Sequence, residues 1–62
     1  MKLSEEQEKF FLKLIEEMHE LSLELIHAVN KPKKNNQSKI LSEIQDVETY
    51  IEKVKNTVNT CL

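Results

Sequence analysis

Glu17, Glu20 and Glu24 follow one another at steps of three and four, and Glu43 and Asp46 are again three apart, with Tyr50 one turn further on. On a helix, at about 100° per residue, each set forms a stripe along one side. Like charges at that spacing repel, so the cluster costs free energy unless a cation sits in it. Oxygen-only donors suit Mg²⁺ or Mn²⁺ rather than zinc, and Mg²⁺ commonly takes one or two carboxylates together with substrate phosphates. The chemistry within reach is a divalent-metal site that also seats a nucleotide polyphosphate. A solvated acidic face produces the same pattern, because eleven acidic residues in a helical chain put carboxylates three and four apart without any ligand.

Two helices must position these side chains. Ser4 can cap the first, with Gln7 completing a capping box and Glu5, Glu6 and Glu8 at the positive end of the helix dipole. Apolar residues then recur at Phe10/Phe11, Leu14/Ile15, Met18, Leu21, Leu25 and Ala28/Val29, a helical period that runs over about 4–29. Pro32 ends it, since the residue before a proline disfavours helix and proline has no N–H. A basic turn over about 30–36 follows, with Asn36 and Ser38 as candidate caps for the second helix. Ile40, Ile44, Val47, Ile51, Val54, Val58 and Cys61 then alternate steps of four and three, a heptad seam that places the second helix over about 37–59. So short a connection favours antiparallel neighbours. A turn centred on Lys33 sets residue i against roughly residue 66 − i, which puts Glu20 level with Asp46 and Glu24 near Glu43.

The 62 residues form one domain, 1–62, and the expected fold is all-α: an antiparallel hairpin. A chain of 7.3 kDa buries only about 60% of its unfolded surface, so a lone hairpin is marginal. Leu23, Ile26 and Leu41 lie off the shared seam and seek a second hairpin, which points to a homo-oligomeric four-helix bundle, dimer or tetramer. The absence of glycine excludes Gly-rich phosphate loops, and one cysteine, Cys61, excludes an internal disulfide and cysteine-cluster zinc sites. No apolar run spans a membrane and no signal-peptide core is present, so the expected location is cytoplasmic. Charge is uneven: net −4 over 1–30, +4 over 31–39 and −2 over 40–62, giving the total of −2. With no arginine and a pI near 5.6, nucleic acid is not an expected partner.

The stretch Leu14-Ile15-Glu16-Glu17-Met18-His19-Glu20-Leu21, followed by Ile40-Leu41 and Glu43-Ile44-Gln45-Asp46-Val47-Glu48, resembles the MazG-like nucleotide pyrophosphohydrolases of the all-α NTP pyrophosphatase superfamily. The resemblance covers roughly residues 10 to 58. It rests on the signature Glu16-Glu17-x-x-Glu20, the intervening residues 21–42, then Glu43-x-x-Asp46, on the two helices where the family carries it. What it implies is Mg²⁺-dependent cleavage between the α and β phosphates of a nucleoside triphosphate, releasing pyrophosphate. Carried over by position, Glu17, Glu20, Glu43 and Asp46 are the metal-holding and catalytic residues, with Glu16 or Glu24 as candidate proton acceptor. His19 and Gln45 stand where members often carry small residues, and related domains usually contribute further helices.

Around that core, Lys13 is a candidate phosphate contact or an ordinary i,i+4 partner of Glu17, and Glu24 and Tyr50 are candidate substrate contacts. Tyr50 is equally suited to half-buried packing. His19 and His27 are read as surface or packing residues, and Phe10 and Phe11 as interface core. Three functions follow: a nucleotide pyrophosphohydrolase; a nucleotide-sequestering protein without turnover, of the viral counter-defence kind; and a plain helical interaction module.

Overall fold

The structure, a computed structural model, describes residues 1–31 and 35–61, so the stop at Pro32 and the charges of Lys33 and Lys34 lie outside the described residues. It is all-helical: α1 (Glu5–Asn30) and α2 (Gln37–Cys61) pack antiparallel along their lengths in a rod of 46 × 15 × 13 Å.

The start of α1 follows from its sequence. Ser4 Oγ accepts from the Gln7 N–H at 3.2 Å and Gln7 Oε1 accepts from the Ser4 N–H at 2.9 Å, closing the capping box. α2 starts at the expected residue, with Asn36 at the N-cap position and its carbonyl accepting from the Ile40 N–H at 3.0 Å, but the side-chain cap differs. Asn36 does not cap with its side chain, and Ser38 lies inside the helix; Asn35 Oδ1 instead accepts from the Gln37 N–H at 3.4 Å. The Asn36 amide donates across the hairpin, to the Glu24 carbonyl at 3.1 Å and the Glu24 carboxylate at 3.4 Å.

That crossing sets the register. Glu24 meets Lys39, Glu17 meets Asp46, Phe10 meets Lys53 and Cys61 meets Lys2, and each pair sums to 63 rather than to 66. The helices are therefore offset by about three residues from a connection centred on Lys33. Tying the start of α2 beside Glu24 leaves residues 25–30, about 9 Å of helix, running beyond it.

Packing corrects the expected seams. Val47, at 7%, is the one buried apolar side chain among the described residues, while Glu17 at 5%, Glu24 at 9% and Thr57 are buried with it. Leu3, Phe10, Leu14, Leu21, Ala28, Tyr50 and Val54 are only half-buried. Ile15, Met18, Leu25 and Val29, which share the helical period with the α2-facing residues, are exposed, as are Ile51 on α2 and Leu12. Each apolar stripe is too wide for one neighbouring helix to cover, so it is split between the inter-helix seam and an outer side. Leu23, Ile26 and Leu41 are exposed as the off-seam positions require.

Candidate metal centre

Glu17 is the residue on which both acidic sets converge. Carboxylate oxygens of Glu16, Glu17 and Glu20 lie within 4.8 Å of one another, and so do those of Glu17, Glu43 and Asp46. The shift in register explains the arrangement: Glu17, instead of Glu20, faces Asp46, and Glu43 reaches the same point from one turn earlier on α2. Helical periodicity puts Glu16 and Glu20 on the outward flank of Glu17, so the five acids form one patch on one side of the hairpin.

The electrostatics are one-sided. Lys13 Nζ lies 3.2 Å from Glu17 Oε1 and 3.5 Å from Glu16 Oε1, the i,i+4 and i,i+3 pairings of an ordinary helix surface. The hydrogen bond to Glu17, aided by the Glu16 charge, raises the Lys13 ammonium above its usual pKa. One lysine does not neutralise five carboxylates. The Glu20 carboxyl is held above its ordinary range, chiefly by the negative charge of Glu17, with burial and the charges of Glu43 and Glu16 adding to it. Among the described residues, Glu17 Oε2 and Glu43 Oε2 are buried without a hydrogen-bond partner. An orphaned carboxylate oxygen away from water carries a desolvation penalty, which the Lys13 contact to the other oxygen of Glu17 offsets only in part. The residues fit a hard divalent cation: the donors are all oxygen, two are buried without partners, and they come from both helices.

Toward the connection the acidic patch opens into a groove of ≈ 300 Å³ lined by Glu20, Leu23, Glu24, His27, Lys39 and Glu43. Glu24 is held by the Asn36 amide, with Lys39 Nζ at 3.8 Å and His27 Nδ1 at 3.9 Å from its Oε1. His27 Nδ1 is buried without a hydrogen-bond partner, 3.9 Å being too long for one. The groove thus runs from a cluster of acids to two cationic or protonatable groups. Glu24 belongs to the groove rather than to the metal cluster, and it lies near Asn36 and Lys39 as well as Glu43. Lys39 and Asn36 were not singled out as site residues, because only the cross-hairpin register brings them to Glu24.

Tyr50 is half-buried, and its ring lies 5.4 Å from Lys53 Nζ, which also stands 4.9 Å from the Phe10 ring. Lys53 bridges the two aromatics across the helices, a cation–π contact that spacing within one helix does not reveal. Phe10 and Phe11 are both half-buried, Phe10 in this seam. His19 is exposed.

No helix among the described residues is long and apolar enough to cross a membrane. No protein-family model, curated protein or solved structure matches the chain, so the reading of this centre rests on its own geometry.

Proposed function

We propose that the chain is a Mg²⁺-dependent nucleoside triphosphate pyrophosphohydrolase, working as a homo-oligomeric helical bundle. The observation that carries the reading is Glu17: a carboxylate buried to 5% exposure, shared by two acidic triads, with one oxygen unpartnered. Glu17, Glu20, Glu43 and Asp46 are the residues that hold the metal; Mn²⁺ serves the same donors. When bound, the ion supplies charge neutralisation for phosphate oxygens and acidifies a water. Lys13, 3.2 Å from Glu17 Oε1, orients that carboxylate. Lys39 and His27 give the groove a pole that attracts a phosphate chain, and the Asn36 amide fixes Glu24 beside it.

Incubating the protein with each NTP and dNTP plus Mg²⁺ should release pyrophosphate, and Glu43→Ala should abolish the release while helicity is retained. No release with any nucleotide in Mg²⁺ or Mn²⁺ defeats the reading.

A second reading, nucleotide sequestration without cleavage, is favoured by one observation: both candidate proton acceptors named from the signature are engaged, Glu16 with Lys13 and Glu24 with Asn36 and Lys39. Calorimetric binding with the nucleotide recovered intact selects this reading over turnover.

A further inference from the structure

The two acidic triads share Glu17, and the two oxygens of its carboxylate have different surroundings. Oε1 lies 3.2 Å from Lys13 Nζ, which also stands 3.5 Å from Glu16 Oε1. Oε2 is buried without a hydrogen-bond partner among the described residues, in a residue 5% exposed. The triad of Glu16, Glu17 and Glu20, all on α1, therefore already holds a cation, the ammonium of a residue one turn earlier. Side chains on a helix lean toward its N-terminus, so the Glu16 and Glu17 carboxylates lie over the turn that carries Lys13.

No lysine serves the other triad in this way. Glu17, Glu43 and Asp46 bring carboxylate oxygens from both helices within 4.8 Å of one another, and Glu43 Oε2 is a second buried oxygen without a partner. The lysines one heptad to either side of Asp46 are engaged elsewhere. Lys39 Nζ lies 3.8 Å from Glu24 Oε1, and Lys53 Nζ stands 4.9 Å from the Phe10 ring and 5.4 Å from that of Tyr50. Neither Glu43 nor Asp46 has an ion-pair partner among the described residues. The two triads thus differ in kind: the outer one has its counter-charge built into the chain, and the inter-helix one does not.

Resting on the metal reading proposed above, we infer that Lys13 is a resident cation that restricts the centre to a single divalent ion, seated by Glu17, Glu43 and Asp46. A second ion on the outer triad draws on the Glu16 and Glu17 carboxylates that the ammonium already bridges, and a divalent charge so close to an ammonium is repelled by it. Glu20 makes no ion pair among the described residues and is exposed, so it lends negative charge to the centre from the flank without ligating the single ion. Removing the Lys13 charge turns the outer triad into a second site.

Mn²⁺ titration followed by paramagnetic resonance should count one bound ion per chain in the unmodified protein. Lys13→Met, which keeps the length of the side chain and removes its charge, should bind two, each broadening the other's spectrum through spin coupling. Lys13→Gln must give the same count as Lys13→Met, and Lys13→Arg, which keeps the charge, should bind one. Adding Glu16→Gln to Lys13→Met should return the count to one, which places the second ion on the outer triad. Circular dichroism should show the same helicity throughout, because the Lys13 and Glu16 side chains are 40% and 59% exposed. Two ions on the unmodified protein, a single ion on both Lys13→Met and Lys13→Gln, or a second ion that survives Glu16→Gln overturns the inference and leaves the metal reading standing. No ion on any of these chains refutes the metal reading itself, and the inference falls with it.

Discussion

Glu17 and Ile15 lie two residues apart on α1, yet the carboxylate is 5% exposed and the isoleucine 47%. The same inversion recurs on α2, where Glu43 turns toward α1 while Ile51 faces out. A soluble chain ordinarily does the reverse, because burying a charge costs several kcal/mol and exposing a large apolar side chain forgoes about 1.5–3 kcal/mol. Two faces that are each unfavourable alone become intelligible together under the proposed function: a cation would offset the cost of one and a neighbouring copy the cost of the other. Their difference teaches that the two sides of the hairpin are to be tested separately, the acidic one with divalent ions and the apolar one through association.

Four experiments sharpen or break this contrast. The largest effect is expected from a charge placed on the apolar side: Ile15→Asp should lower Tm by roughly 10 °C or more through lost association, at about 4–8 °C per kcal/mol, whereas Leu23→Asp should shift it little. Thermal melts at several protein concentrations read both. Next comes the cation. At a hundredfold excess over its dissociation constant, Mg²⁺ or Mn²⁺ should stabilise the protein by about 2.7 kcal/mol, a gain reversed by chelation and absent in Glu43→Ala. A melt indifferent to divalent ions would break the acidic side of the comparison.

Glu17→Gln should raise the metal-free Tm by roughly 4–8 °C, equivalent to about 1 kcal/mol, because it replaces a buried charge by an amide of the same shape, while abolishing the response to Mg²⁺. Destabilisation instead would mean that the Lys13 pair outweighs burial. The smallest effect is in pH. Because the folded-state pKa of Glu20 lies above its ordinary 4.5, the folded chain binds more protons than the unfolded one between those two values. Its contribution to stability therefore falls as pH rises through that window. Comparing denaturant midpoints of wild type and Glu20→Gln across this range should isolate the fall, and saturating Mg²⁺ should suppress it.

Much of this architecture was legible along the chain. The capping box at Ser4, both helices to within two residues, and the exposure of Leu23, Ile26 and Leu41 all follow from local periodicity and side-chain chemistry. The acidic residues were recognisable by spacing, but their meeting point was not: Asn36 reads as a cap until its amide is seen crossing to Glu24, and that crossing moves Asp46 from Glu20 to Glu17. The apolar face was also hidden, although Ile15, Met18, Ser22, Leu25 and Val29 keep a heptad rhythm of their own. A stripe wide enough for two neighbours gives no sign of which half each takes.

The linear chain by itself determined that there are two amphipathic helices, where the first begins, and that carboxylates gather along both, because these depend on interactions within a few residues. Tertiary structure alone decided which acids share a point, which glutamates are withdrawn from water and which isoleucines remain in it. Those outcomes depend on the rotation and offset of one helix against the other, and a three-residue slide costs little locally while exchanging every partner across the seam.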